Sequence, residues 1–436
     1  TTGYNVLEYF HLQLFSLFFG LMTLILIYKI IKKTIEQIYF HFIGIILIAF
    51  SFGFWYYAVE AEVHIAGLFF VAAGFYYTFF KHDRSLDFRR IVLAALCFSA
   101  AAGFHLTNGL IVISVLLIFI IEKRSGGQIF QFLSCYAIFF LSQISVFFII
   151  KRINIIEHFQ SQLFGKEYLT GYGHSYWSDF SFATLWDSLK TTANGILFPS
   201  TKVTAILAII LFCFALVIIF AGWIKSKVKR EYYRFFAWLF PYFLFFTFWD
   251  PKKIEFKLNI ILPFLILFLL ALSGAVRPRG RIVLSIIVVI VVSLSNLHFV
   301  ISPAHDIRNN RHYLAVMAVE KVTPPESIIV IAGVGSDMSI HSKIYLPYFA
   351  RRKPFILDWA LGQGKSLEAI RAEIEQERAK GTPILFLSEI TYLSKSLEKL
   401  LENHHLKKED YFRFLEEMHP GEKIPLIDGY YLKRIE

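Results

Sequence analysis

The chain has 436 residues, 56% of them hydrophobic and 18% aromatic, with a mean hydropathy of +0.56. That composition excludes an ordinary soluble protein and points to a polytopic helical membrane protein. The net charge of +11 arises in short basic connectors between apolar segments, so it marks membrane orientation and not a nucleic-acid partner. The three cysteines, Cys97, Cys135 and Cys213, all lie in apolar runs and imply no disulfide framework.

Apolar runs of spanning length fall at about residues 9–31, 38–57, 60–80, 90–104, 105–121, 129–150, 203–222, 233–249, 254–274 and 281–300, which predicts about ten membrane helices. No signal peptide precedes the first run, and the first residue is a threonine, so a fragment or processed form is expected. The connectors alternate in charge. One set carries Lys29, Lys32 and Lys33; Lys81, Arg84, Arg89 and Arg90; Lys123 and Arg124; Lys225, Lys227, Lys229, Arg230 and Arg234; and Arg277, Arg279 and Arg281. The positive-inside rule puts this set in the cytoplasm. The other set, on the outer face, contains FWYYAVEAEVH, GFHLTN, the segment 151–202 and FWDPKKIEFK.

The outer connectors hold the polar residues. Glu60, Glu62 and His64 interrupt an aromatic stretch that includes Trp55 and Tyr57, where one helix leaves the membrane and the next enters. A carboxylate at membrane depth is tolerated when it faces water, a partner or a cavity, so this group is expected at the rim of an outward cleft. A short solvated turn is the plainer alternative. His105, Thr107 and Asn108, between Gly103 and Gly109, predict a helix break lining the same cleft. A divalent-metal site from Glu62, His64 and His105 is an alternative, but the spacing matches no established metal-ligand motif, so no metal cofactor is firmly assigned. The segment 151–202, rich in tyrosine and tryptophan, is expected at the membrane interface. Lys252, Lys253 and Lys257 run against the positive-inside trend, so they are expected to edge the cleft and meet a phosphate, with Asp250 and Glu255 fixing their directions. A plain charged loop is the alternative there.

From Ser302 onward no run could span. IIVI, FILD, PILFLS and YYLKRI alternate with amphipathic helical stretches such as SLEAIRAEIEQERAK, which predicts a small α/β domain with a parallel or mixed three-layer sheet. GVGSD carries one GxG but not the dinucleotide fingerprint and reads as an ordinary strand-to-helix turn. The expected division is thus a transmembrane domain over 1–301 and an extracytoplasmic domain over 302–436.

WYYAVEAEVHIAGLFFVAAGFYYTFF, a basic connector, and then AAGFHLTNGLIVISVLLIFI resemble the GT-C superfamily of membrane glycosyltransferases, in the branch similar to protein O-mannosyltransferases. Trp55, Glu62, Val63, Gly103, His105, Leu106 and Thr107 fill the places of that branch's tryptophan, its acid–valine–aromatic step and its glycine-x-His-Leu-Thr segment; His64 stands where tyrosine is usual. The motifs cover about residues 50–125. The resemblance implies an enzyme that moves a hexose, mannose among them, from a polyprenyl-phosphate donor in the membrane lipid to a protein or glycan acceptor by inversion. It implies Glu60 or Glu62 as base if the chain is complete. It implies Trp55, His64, His105, Thr107 and Asn108 at the substrate and Lys252, Lys253 and Lys257 at the donor phosphate, outside a bacterial inner membrane. The family's first outer loop, with its acid and Pro-Gly-Tyr segment, has no counterpart after Thr1; if the chain is a fragment, its base lies upstream. Two other readings stay open: a transporter or flippase of a lipid-linked sugar, although no inverted repeat is visible, and a non-catalytic membrane scaffold.

Overall fold

The computed structural model describes residues 6–60, 62–80, 86–151, 180–226, 228–275, 278–306, 309–333, 345–391, 404–427 and 429–435, with positions 342, 343, 393, 397, 398, 401 and 402. Most of the segment 151–202, and GVGSD beyond Gly333, lie outside them. The chain divides into two compact units, a helical one between Phe10 and Pro303 and an α/β one built on Ala304–Glu436.

The helical unit contains α1 (Val6–Thr34), α2 (Ile38–Ala49), α3 (Phe52–Val59), α4 (His64–Phe79), α5 (Phe88–Phe104), α6 (Ile111–Ile121), α7 (Gly126–Lys151), α8 (Phe182–Ile196), α9 (Lys202–Lys225), α10 (Lys229–Phe248), α11 (Leu258–Ala275) and α12 (Pro278–Asn296). The described residues of each apolar run are mainly helical, with breaks at Phe50–Ser51, Glu60–Val63 and His105. Among the described residues, five helical stretches are long and apolar enough to cross a membrane, six if α2 and α3 count as one span, and α4 and the Leu106–Ile121 stretch are shorter apolar helices. In its most apolar window α11 is 89% buried, against 6% for α7 and 22% for α12. Helix α11 is therefore the core of the bundle, and the other two lie at its periphery. Close approach depends on small residues: a methyl group on Gly74 of α4 would stand 2.5 Å from the Phe98 ring of α5.

The run 38–57 is not one straight span. It bends by 64° between α2 and α3. Breaking a helix frees backbone carbonyls that must find donors away from water. The Asn296 side chain supplies one: its amide donates to Phe50 O at 2.7 Å and Ile196 O at 2.9 Å, while its oxygen accepts from the Phe198 N–H at 3.0 Å. The Ser51 hydroxyl donates to Ile48 O at 2.7 Å. The break expected at GFHLTNG is present. His105 is extended (φ −154°, ψ 124°) and is followed by a 3-10 turn, Leu106–Leu110, before α6 starts.

The α/β unit holds a five-stranded mixed sheet of β1 (Ile328–Ile331), β2 (Lys353–Ile356), β3 (Ile384–Leu387), β4 (Pro420–Pro425) and β5 (Tyr431–Ile435), in the order β2-β1-β3-β5-β4. Strand β1 pairs in parallel with β2 and β3, while β5 pairs antiparallel with β3 and β4. Strands β1 and β3 are buried on both faces, which is why their sequences are unbroken apolar runs. Ile328 and Val330 join one core with α14 (Leu367–Ala379) and α15 (Lys408–Glu417). Ile329 and Ile331 join another with α13 (Arg311–Val322). Helices on both faces make the three layers. The four strands read from the sequence are present; β4, with proline at each end, was not anticipated.

Candidate active site

The turn Glu60–Val63 between α3 and α4 is held by α1: the Ser16 hydroxyl donates to Glu62 O at 2.9 Å and accepts from the Glu62 N–H at 3.4 Å. This fixes the Glu62 backbone where the aromatic end of α3 meets His64, the first residue of α4. Around it gather residues from three other places in the chain. The Tyr57 hydroxyl donates to Glu255 Oε2 at 2.9 Å. The His64 ring lies 5.6 Å from Tyr57, 5.1 Å from His105 and 5.8 Å from Phe256, centroid to centroid. His105, on the break after α5, has its Nδ1 2.7 Å from Thr107 Oγ1 and its ring 5.4 Å from Phe256. Phe256 is stacked on Phe246 at 5.2 Å and lies 4.8 Å from Trp249. The Lys253 ammonium stands 3.6 Å from Glu255.

The electrostatics follow from this crowding. Burial pushes the Glu62 carboxyl up to about 7, and the neighbouring carboxylates of Glu255 and Glu60 push the same way, against the Val63 N–H and the Lys253 ammonium. A carboxyl with that value exchanges protons near neutrality.

Glu62, His64, His105, Thr107 and Lys253 are thus brought together, with Glu60 close enough to act on Glu62 through its charge. Trp55 is half-buried on α3. Two helical residues are about 200° apart around the axis, so it faces away from Tyr57, and it makes no ring contact with His64 or His105. Asn108, expected in the cleft, is a tie inside the bundle. Its Nδ2 donates to Ala101 O at 3.0 Å, its Oδ1 accepts from Asn259 at 2.9 Å, and its carbonyl accepts from Tyr242 at 2.9 Å. Gly67 makes room for it, because a Cβ there would be 2.3 Å from Asn108 Nδ2.

The three lysines do not form one edge. Lys257 is fully buried, donating to Ser188 Oγ at 2.9 Å and Phe246 O at 2.7 Å. Lys252 is 75% exposed and pairs with Asp187 of α8 at 3.3 Å. Only Lys253 turns to the carboxylates. Glu255, read from the sequence as a guide for the lysines, does hold Lys253, and it also stands at the centre of the site through Tyr57. That pairing joins residues 198 positions apart, and no local spacing signals it. Among the described residues no group of three His, Cys, Asp or Glu side chains is placed to hold a metal ion.

Residues 10–127 match the family described as protein O-mannosyl-transferase TMEM260 N-terminal domain. The crystal structure of ArnT from Cupriavidus metallidurans bound to undecaprenyl phosphate superposes with a TM-score of 0.58 at 9% identity, covering 98% of this chain and 84% of that one. The chain is similar to the GT-C membrane glycosyltransferases, in their O-mannosyltransferase-like branch. The family match contains Glu62, His64, His105 and Thr107, while Lys253 and Glu255 lie beyond it. The GT-C likeness and the apolar helices make this an integral membrane protein. No curated protein matches the chain.

Proposed function

We propose that this protein is a membrane glycosyltransferase that moves a hexose such as mannose from a polyprenyl-phosphate donor to a protein or glycan acceptor. The observation that carries the reading is the convergence of Glu62, Glu255, His64, His105 and Lys253 from separate segments at one end of the bundle. The O-mannosyl-transferase family match and the fold shared with a protein crystallised with undecaprenyl phosphate support it. The basic connectors at the opposite end support a site on the outer face of its membrane, which we take to be a bacterial inner membrane.

In this reaction the ionised Glu62 accepts the proton of the acceptor hydroxyl as its oxygen attacks the anomeric carbon. The bond from that carbon to the phosphate oxygen breaks, and polyprenyl phosphate leaves with the electron pair. Lys253 offsets the charge that collects on the leaving phosphate. Glu255, hydrogen-bonded by Tyr57, keeps the Lys253 ammonium in place, while His64, His105 and Phe256 shape the sugar pocket. The test is transfer from a polyprenyl-phosphate hexose by purified full-length protein. Glu62→Gln keeps size and polarity but removes the base, so turnover should fall by about 10²–10⁴-fold with donor affinity retained. Turnover equal to the parent, or movement of intact donor across a proteoliposome without sugar transfer, would overturn the proposal.

A further inference from the structure

The opposite end of α6 and α10 carries a second built arrangement that the transfer reaction does not use. Glu122 follows α6, and its carboxylate is 6% exposed. Three guanidiniums converge on it: Arg124 at 2.7 Å, Arg230 at 2.8 Å and Arg234 at 2.7 Å. Glu122 thus meets three guanidiniums, and the Glu231 carboxylate acts on Arg234 as well. Arg234 is itself buried, with its guanidinium 5.4 Å from the Phe79 ring and 5.3 Å from the Phe80 ring. Arg230 is half exposed.

Glu122, Arg230 and Arg234, with Ile118, Ile121 and Tyr233, line an open groove of about 480 Å³. Glu231, the acid on the same turn of α10, is not part of its lining. Of the apolar lining residues, Ile121 is 49% exposed and Tyr233 39%. A groove lined by two guanidiniums, one carboxylate and apolar side chains, where the helices end, fits a ligand with an anionic head and an apolar tail. Arginine forks suit phosphate oxygens, and basic pockets between membrane helices take anionic lipid headgroups.

We infer that this groove binds the phosphate of an anionic glycerophospholipid of the surrounding bilayer, with Arg230 and Arg234 as its contacts. Glu122 holds the guanidiniums in register when the lipid is absent. The site is remote from Glu62 and independent of the donor.

The experiment is native mass spectrometry of the full-length protein in mild detergent, titrated with phosphatidylglycerol and, separately, phosphatidylcholine of the same chains. Phosphatidylglycerol should be retained at least about fivefold more strongly. Arg230→Gln should remove most of that preference and leave phosphatidylcholine unchanged. Glu122→Gln should strengthen phosphatidylglycerol retention, a change of sign that loss of folding does not produce. Equal retention of the two lipids by the parent, or an undiminished preference in Arg230→Gln, would overturn the inference. Displacement of the lipid by millimolar glycerol phosphate would assign the groove to a free phosphate ester and overturn the lipid reading. Should either variant fold poorly, the parent's choice between the two lipids decides.

Discussion

The two ends of the α6 and α10 pair each hold a half-buried or buried glutamate, and they treat it in opposite ways. At one end burial alone would raise Glu122, but the hydrogen bonds and charges of Arg230, Arg234 and Arg124 bring it down to about 2. At the other, burial raises Glu62 to about 7, and the nearest charges, Glu255 and Glu60, add to the rise. The first carboxylate is permanently ionised and acts as a structural counter-ion. The second is poised to gain and lose a proton. Residue type did not decide this; the sign of the neighbouring charges did.

The largest effect expected from breaking the contrast is at the reactive end. Glu62→Gln should cost about 10²–10⁴-fold in turnover while leaving thermal stability unharmed, because no guanidinium is left unpaired. At the structural end the order reverses. Arg234→Met should destabilise the protein by about 1.5–3 kcal/mol, the scale of a hydrogen bond to a charged group, because Arg124 and Arg230 still neutralise Glu122, read as a drop in the denaturation midpoint in detergent. Surviving folded protein should turn over at the parent's rate. If Arg234→Met is as stable as the parent, the Glu122 cluster is only a surface network.

A smaller and more diagnostic effect is pH dependence. Glu62 is raised above its ordinary value of 4.5 in the folded protein, so its contribution to stability is complete below about 4.5 and is lost as pH rises through about 7. Activity needs the ionised form and should climb over the same limb. Glu122 is lowered from 4.5, so its contribution is present above about 4.5 and is lost as pH falls through about 2. Rate and stability should therefore cross in opposite directions near neutrality. A rate profile flat between pH 5.5 and 8.5 would remove Glu62 from the reaction. Tyr57→Phe sharpens the point. It removes the hydrogen bond that fixes Glu255, worth about 1.5–3 kcal/mol for a charged acceptor, and should slow turnover about tenfold without shifting the pH limb by more than a few tenths of a unit.

The apolar runs, the break at His105 and the parallel strands were legible because each is a local pattern: continuous hydrophobicity, a polar interruption between glycines, a short apolar run bounded by polar residues. What escaped depends on partners far along the chain. The 64° bend needs Asn296, which caps Phe50 from 246 positions away. The fate of Lys257 depends on Ser188, 69 positions away; three lysines in ten residues look alike until packing separates them. Glu255 gains its role from Tyr57. Asn108 shows the converse: a polar residue at a helix break does suggest a cavity, but here the bundle used its hydrogen-bonding capacity internally. Strand β4 escaped because PGEKIP reads as a turn, and proline is tolerated in it as a sheet-edge strand.

The lysines of FWDPKKIEFK give the smallest effect and the finest discrimination. Lys253 faces Glu255 and acts on Glu62, so Lys253→Met should lower donor affinity by about one to two orders of magnitude, the scale of a charge-assisted contact to phosphate. Lys257→Met keeps the stem but removes the buried donor to the Phe246 carbonyl and one of the hydrogen bonds to Ser188, which keeps the Thr247 hydroxyl, so its harm should appear in stability first. Lys252→Met should do almost nothing. Its ammonium is 75% exposed and its partner Asp187 is 35% exposed, and an exposed pair contributes about 0.2–1 kcal/mol before screening by salt. Binding of a polyprenyl-phosphate sugar to the three purified variants separates the roles, with denaturation midpoints measured in parallel. The expected ranking for lost affinity places Lys253 far above Lys252. If Lys252→Met loses as much affinity as Lys253→Met, both ammonium groups meet the phosphate, and the donor must sit further out, toward α8, than the Glu62 cluster implies.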